Sequence, residues 1–453
     1  MNTTVDTTKR TNVRWGIVGM LFILTSINYA DRAILSLAGP AAAADLGMNS
    51  VSMGYIFSAF GWSYVAAQLP GGWLLDHFGS KRVYFCSLLI WSIFTLLQGY
   101  VGFLGGMAVA GLFALRFLVG AAEAPSFPAN GRIVAAWFPA SERGTAAAIF
   151  NSAGYFATVI FAPLMGWVIY KFGWQHVFSV MGVMGIVAAF IMLKVIYNPK
   201  DHPTVNQAEL DYIEEGGALI NLDQPVKGDK SESLPTWWCL KQLLGNRMLL
   251  GIYIGQYCIT TLTYFFLTWF PVYLIQARGM SILKAGFVAV VPALFGFIGG
   301  ILGGIFSDYL LKKGYSLSVA RKTPIIGGML LSTTMIACNY TSVEWIVVAI
   351  MAMSFFGKGV GALGWAVLSD TSPKEILGLS GALSNMFGNV AAITTPIIIG
   401  YIIHGTGSFN GALVFVGANA LGAILCYLLI VGEIKRAELM LPVCELPPTQ
   451  PEL

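Results

Sequence analysis

The sequence predicts an all-α membrane protein: twelve transmembrane helices in two pseudo-symmetric six-helix bundles. Three observations carry that expectation. Of 453 residues, 56% are hydrophobic and 11% charged, with a mean hydropathy of +0.72; a water-soluble domain carries about 25% charged residues. Apolar stretches of about 20 residues, enough to cross a bilayer core of about 30 Å, recur along the whole chain. A short glycine- and aspartate-bearing motif stands in each half.

The first half gives spans near 16–40, 52–75, 83–104, 107–130, 145–170 and 176–198. The second gives 248–274, 284–311, 323–340, 344–368, 378–403 and 410–432. Between them, 199–247 is polar and holds the charged run Lys227-Gly-Asp-Lys-Ser-Glu-Ser233. The expected organisation is a cytoplasmic segment 1–15, a bundle 16–198, a cytoplasmic loop 199–247, a bundle 248–432 and a cytoplasmic tail 433–453. With both ends inside, about 20 of the 26 Lys and Arg become cytoplasmic, as the positive-inside rule requires. They include Lys9, Arg10, Arg14, Lys81, Arg82, Arg143, Lys312, Lys313, Arg321, Lys322, Lys435 and Arg436; the outer loops keep Lys171, Arg278 and Lys284.

The net charge of +4 is small and gives no reason to expect nucleic acid. The six cysteines (86, 239, 258, 338, 426, 444) form no CxxC pair and read as packing residues rather than a disulfide or metal set. No cleavable signal peptide is expected, because the first apolar stretch is too long and lacks a cleavage site.

The repeated motif lies between the second and third spans as Gly72-Trp-Leu-Leu-Asp76-His-Phe-Gly79-Ser-Lys81-Arg82. Between the eighth and ninth it reads Gly304-Ile-Phe-Ser-Asp308, followed by Lys312, Lys313, Arg321 and Lys322. Glycine lets two helices approach, and an Asp near a helix end can hold a neighbouring cation. Asp76, Lys81, Arg82 and Asp308 are therefore gating candidates; a plain basic loop is the bland alternative.

Six plus six spans, a long central loop and this motif resemble the major facilitator superfamily over essentially the whole chain. The resemblance implies two bundles rocking about a central site. His77 stands where that family usually has Arg.

A charge in the hydrocarbon core costs about 2.5–3.5 kcal/mol on insertion scales. Asp31 and Arg32 in the first span, Arg116 and Glu123 in the fourth and Lys358 in the tenth carry such charges. Arg116 and Glu123, seven apart, share one helix face. Tyr29, Tyr64 and Gln68 add polar groups in the first half; Gln256, Tyr257, Trp365, Asn385 and Asn389 add them in the second. A polar, aromatic-lined cavity built from these suits a hydroxylated, charged solute. Structural ion pairs, Asp31–Arg32 and Arg116–Glu123, are the bland alternative, and Gln68 and Asn389 read equally well as helix–helix hydrogen bonds.

Three bases against two acids favour an anion, and Arg offers bidentate geometry for a carboxylate. A carboxyl in a low-dielectric site can carry a proton, which would compensate the cost of moving an anion against the membrane potential, about 2.3 kcal/mol per charge per 100 mV. Arg116 is the expected carboxylate anchor, Glu123 the coupling acid and Asp31 a second protonation site. Tyr29, Arg32, Tyr64, Gln256, Lys358, Trp365 and Asn385 complete the expected substrate contacts. No cofactor or metal is expected.

The stretches Asn28-Tyr-Ala-Asp-Arg32, Gly54-Tyr-Ile-Phe-Ser-Ala-Phe60, Gln68-Leu-Pro-Gly-Gly-Trp73 and Glu123-Ala-Pro-Ser-Phe-Pro128 resemble the anion:cation symporter family. Arg132-Ile-Val-Ala-Ala-Trp-Phe138 and Phe355-Phe-Gly-Lys-Gly359 look most like its bacterial hexarate (glucarate/galactarate) permeases. That likeness implies proton-coupled import of a hexarate across the bacterial inner membrane, with each chain expected to be a monomer forming its own pathway. A galactonate-like monocarboxylate or another organic anion, with sodium as the coupling ion, is the alternative. Galactonate carriers tend to be neutral where Lys358 sits, so Lys358 is the expected reader of a second carboxylate. Where close relatives often have Gln, this chain has Gly154, which puts one sugar-hydroxyl contact in question.

An intramembrane enzyme is disfavoured: the four His (77, 176, 202, 404) sit at span ends or in loops, and neither G-x-S-x-G nor H-E-x-x-H occurs. The tandem motif argues against a channel, and the retained charges argue against a non-transporting sensor. An antiporter or a carrier of phosphorylated solutes stays open, because Arg reads phosphate too.

Overall fold

The computed structural model describes residues 10–139, 141–220, 236–373 and 376–438. Lys9 and the rest of 1–9, the charged run 227–233, Cys444 and the tail beyond 438 lie outside the described residues. Among the described residues, ten helices are long and apolar enough to cross a membrane. Two more, Ser50–Phe78 and Leu317–Ser332, complete the twelve; the first is more polar because it carries Gln68, Asp76 and His77, the second because it carries Arg321 and Lys322.

The first bundle consists of α1 (Val13–Leu46), α2 (Ser50–Phe78), α3 (Ser80–Gln98), α4 (Ala108–Glu123, resumed as Ser126–Trp137), α5 (Arg143–Phe172) and α6 (Trp174–Val195). The second consists of α7 (Arg247–Gln276), α8 (Ile282–Lys312), α9 (Leu317–Ser332, tightening to a 3₁₀ turn over Thr333–Tyr340), α10 (Glu344–Thr371), α11 (Leu377–Thr406) and α12 (Asn410–Ile430). The fourth span runs seven residues beyond the end the hydropathy pattern suggests. Pro125, which has no N–H to donate, breaks it, and a second helical segment carries it on to Trp137. A π-helical turn interrupts α7 at Phe265–Trp269, just ahead of Pro271.

The bundles meet along α2–α11, α5–α8 and α1–α7. Glycines make two of these seams. A Cβ at Gly54 would lie 2.6 Å from the Pro396 carbonyl oxygen, one at Gly61 2.9 Å from Ala392 Cβ, and one at Gly286 2.7 Å from the Ala162 oxygen; backbones touch where no side chain fits. Trp269 Nε1 donates to Pro396 O at 3.2 Å, and the Tyr55 and Tyr401 hydroxyls meet at 3.3 Å. All these contacts lie toward the α1–α2 and α7–α8 loops, which closes that end. The molecule is thus sealed at that end; toward the central loop, Leu69 of α2 is 82% exposed.

The stretch expected as a polar loop is partly folded. Helix Gln207–Glu215 is strapped beneath the first bundle: Glu209, fully buried, accepts from Arg14 Nη1 at 2.9 Å, Thr11 Oγ1 at 2.6 Å and Val13 N at 3.0 Å. Glu142 accepts from Arg14 Nε at 2.9 Å and from the Tyr212 hydroxyl at 2.8 Å. A second helix, Thr236–Gly245, leads into α7.

Candidate functional site

Halfway along α1, α3 and α4 the buried charges gather. Asp31, Arg32, Arg116 and Glu123 are all buried, two of them completely. They do not form the pairs a linear reading suggests. Arg32 holds Glu123, with Nε 2.6 Å and Nη2 2.5 Å from Oε1. Arg116 donates instead to main-chain carbonyls of α1, Asp31 O at 2.9 Å and Arg32 O at 2.8 Å, clamping α4 to α1. Asp31 accepts from the indole of Trp91 on α3 at 3.0 Å. Asp31 Oδ1, Glu123 Oε2 and Arg116 Nε are buried with no hydrogen-bond partner.

The local sequence explains why this holds. Gly120, on the Arg116–Glu123 face of α4, lets α2 press close: a Cβ there would be 2.4 Å from Phe60 O. Phe60 stacks on Tyr64 at 5.2 Å. With Tyr29 and Phe127 these rings surround the Arg32 guanidinium at 4.7–5.9 Å, a cage that favours a cation. Gly154 lies against this cage. A Cβ at Gly154 would sit 3.2 Å from the Tyr29 ring, so the tyrosine occupies the room that a larger side chain would claim.

The second bundle contributes neutral polar groups and one cation. Lys358 is buried, with Nζ 5.4 Å from the Phe355 ring and 5.9 Å from that of Tyr155, which reaches across from α5. Among the described residues it forms no ion pair. Its neighbours in the chain fix it: Cβ atoms at Gly357 and Gly359 would lie 2.4 Å from Gly328 O and 2.2 Å from Gly296 O. Tyr264 donates to Asn389 Oδ1 at 3.0 Å, and Asn389 Nδ2 donates to the Asn385 carbonyl at 2.9 Å. Gln256 packs over Gly364 and donates to Thr260 at 3.2 Å. Trp365, 69% exposed, stands beside Gly381 toward the central-loop end.

The gating candidates divide. Asp76 pairs not with Lys81 or Arg82 but with Arg132 from the second segment of α4, at 2.5 Å. Lys81 sits over the Tyr197 ring at 3.3 Å. Arg82 is exposed and forms no ion pair among the described residues. In the second bundle Arg321 bridges Asp308 at 3.7 Å and Asp370 at 2.8 Å. Trp91, Tyr155 and Tyr264 are candidate site residues that charge counting missed. Trp91 lies in an apolar run and nothing local marks it; Tyr155 and Tyr264 are polar groups inside apolar spans and are legible on that ground.

Two helical bundles sealed at one end, with buried charges at their centre, define a membrane carrier. Residues 21–320 match the Major Facilitator Superfamily, and the chain belongs to that family. It is 68% identical over 432 residues to the probable galactarate/D-glucarate transporter GudP of Bacillus subtilis (strain 168), covering 95% of this chain and 94% of that one. It is 66% identical to GudP of Escherichia coli (strain K12), covering 95% and 96%. The crystal structure of a D-xylose–proton symporter superposes with a TM-score of 0.71 at 15% identity, over 93% of this chain and 98% of that one, which shows the shared fold. The protein is a multi-pass membrane transporter, not an enzyme.

Proposed function

We propose that the chain imports a hexarate sugar acid, such as D-glucarate or galactarate, together with protons, by alternating access across a bacterial inner membrane with both termini cytoplasmic. The observation that carries this reading is the buried Arg32–Glu123 pair. Glu123 occupies the guanidinium that a substrate carboxylate would need, so it acts as an internal stand-in for substrate. A proton on Glu123 cancels its charge and releases Arg32 to an incoming carboxylate; loss of the proton after release restores the pair. Asp31, with one oxygen unpartnered, takes the second proton. The relatives named as galactarate/D-glucarate transporters support the substrate class.

Lys358 completes the charge count. Three cations against two carboxylates leave the empty site with one positive charge. Two protons on the carboxylates and a dianion in the cavity leave the same single charge. A dicarboxylate carried with two protons is therefore electroneutral, whereas a monocarboxylate carried with two protons moves net positive charge. Arg32 serves one carboxylate and Lys358 the other, with Arg116 fixing α1 to α4 through the Asp31 and Arg32 carbonyls.

Uptake of labelled glucarate into proteoliposomes tests this. A pH gradient is expected to drive accumulation that galactarate competes for, with no response to an imposed potential. Glu123→Gln is expected to lose accumulation yet keep counterflow. Accumulation driven by sodium alone, or uptake of a monocarboxylate in preference to glucarate, overturns the reading.

A further inference from the structure

Helix α4 has two functional faces. Counting 100° per residue, Arg116, Gly120 and Glu123 point one way, toward α1 and α2. Leu118, Ala121, Ala122 and Pro125 point half a turn away. That second face floors a groove of about 590 Å³ walled by Leu74 and Phe78 of α2 and by Arg82, Cys86, Ile90 and Phe94 of α3. Phe78, Ile90 and Leu118 are 55%, 43% and 41% exposed. In a membrane protein, apolar side chains exposed at this depth meet lipid.

The groove has a direction. Its α3 wall runs from Arg82 to Phe94, about 18 Å of helix at about 1.5 Å per residue. That matches one leaflet of a hydrocarbon core about 30 Å thick. The apolar end lies toward mid-membrane, and the charged end lies at the central-loop surface. Arg82 is the cation there. The motif's Asp76 is already held by Arg132, and Arg82 stands exposed with no ion pair among the described residues. An apolar trough one leaflet long, ending on an unpaired guanidinium, is complementary to an acyl chain that ends in a phosphate.

We propose that this groove binds an anionic phospholipid from the leaflet on the central-loop side. One acyl chain lies between α2 and α3 on the floor of α4, and the phosphate rests on Arg82. Behind the chain, Ser87 Oγ on α3 donates to the Ala122 carbonyl of α4. The opposite face of the same α4 turns carries Glu123 and Arg116, and on α3 Trp91 lies one turn beyond Ser87, which lines the groove. The lipid thus backs the helices that hold the charge cluster. The proposal concerns a site apart from the transport pathway and is independent of which anion is carried.

Native mass spectrometry of the full-length protein, released from bilayers holding equal phosphatidylglycerol and phosphatidylcholine, tests it. One phosphatidylglycerol is expected to stay bound, favoured about fivefold, as about one near-surface cation contributes. Arg82→Gln is expected to abolish the preference, and Ala121→Phe to abolish retention by filling the trough. Ile191→Phe, on the lipid face of α6, leaves retention unchanged. Photo-crosslinking the wild-type protein with diazirine-bearing phosphatidylglycerol keeps the test independent of variant folding, with labels expected in 74–94 and 118–125. Equal retention of the two lipids, retention that survives both groove variants, or labels scattered over the lipid face overturns the proposal.

Discussion

The two bundles hold their buried charges in opposite ways. In the first, Asp31, Arg32, Arg116 and Glu123 are tied by an ion pair, an indole and two main-chain carbonyls. In the second, Lys358 has no charged partner among the described residues and is fixed by its backbone: Gly357 and Gly359 press against the carbonyls of Gly328 and Gly296. A network of side chains can be rewired by one proton, because its members exchange partners. A lysine set by helix packing cannot be rewired that way; it presents a constant charge. On the proposed mechanism, coupling falls to the first bundle and discrimination to the second.

The largest expected effect strikes the network. Arg32→Ala leaves Glu123 buried and unpaired, which costs about 3–5 kcal/mol, and uptake should vanish. The double variant Arg32→Ala/Glu123→Ala should regain most of the thermal stability while staying inactive. Equal melting temperatures for wild type and the single variant would break the contrast between the bundles. Next, Lys358→Asn should raise the glucarate KM about 10- to 100-fold, the scale of one charged hydrogen bond of about 1.5–3 kcal/mol. It should leave galactonate uptake and thermal stability near wild type. A parallel loss for both substrates would end the role of Lys358 in selecting dicarboxylates.

A smaller effect probes the glycine fit. Gly359→Ala would put a Cβ 2.2 Å from Gly296 O, and parting α8 from α10 should cost about 1–3 kcal/mol. Gly304→Ala, with open space around it, should change stability by less than about 0.5 kcal/mol. The smallest effect lies outside the membrane. Arg14's hydrogen bond holds the Glu142 carboxyl below its ordinary value of 4.5. Its folded pKa is depressed, so the stabilisation is full above the unfolded value and is lost as pH falls through the folded one. Hydrogen-exchange protection in Gln207–Glu215, corrected for the intrinsic rate, should therefore be flat across neutral pH and fall only in strong acid. A fall in protection near pH 6 would exclude Glu142 as its cause.

The spans and the identity of the buried charges were legible because hydropathy and membrane cost act residue by residue. The pairing was not. Neighbours such as Asp31 and Arg32 point about 100° apart on a helix, and Arg116 and Glu123 are separated by about 10.5 Å of rise. Both in-helix pairs are thus geometrically poor, and Arg32 reaches across to α4 instead. The partner of Asp31, Trp91, comes from an apolar run where no rule singles it out. The strap beneath the first bundle was readable and was missed: Asn206 followed by Glu209 is a helix-start signature, and Asn206 Oδ1 does accept from Glu209 N at 3.0 Å.

That strap also bears on the order in which the chain assembles. Arg14's partners, Glu142 and Glu209, both precede α7, and Arg143 reaches Gly217 O at 2.5 Å. Domains are made and fold from the N-terminus onward. The six helices of the first bundle can therefore be locked from below by about the time residue 220 leaves the ribosome, before any of the second bundle exists to pair with them. A nascent half that fastens its own floor waits in the bilayer as a finished part, and the glycine seams at Gly54 and Gly61 need only receive α11 when it arrives.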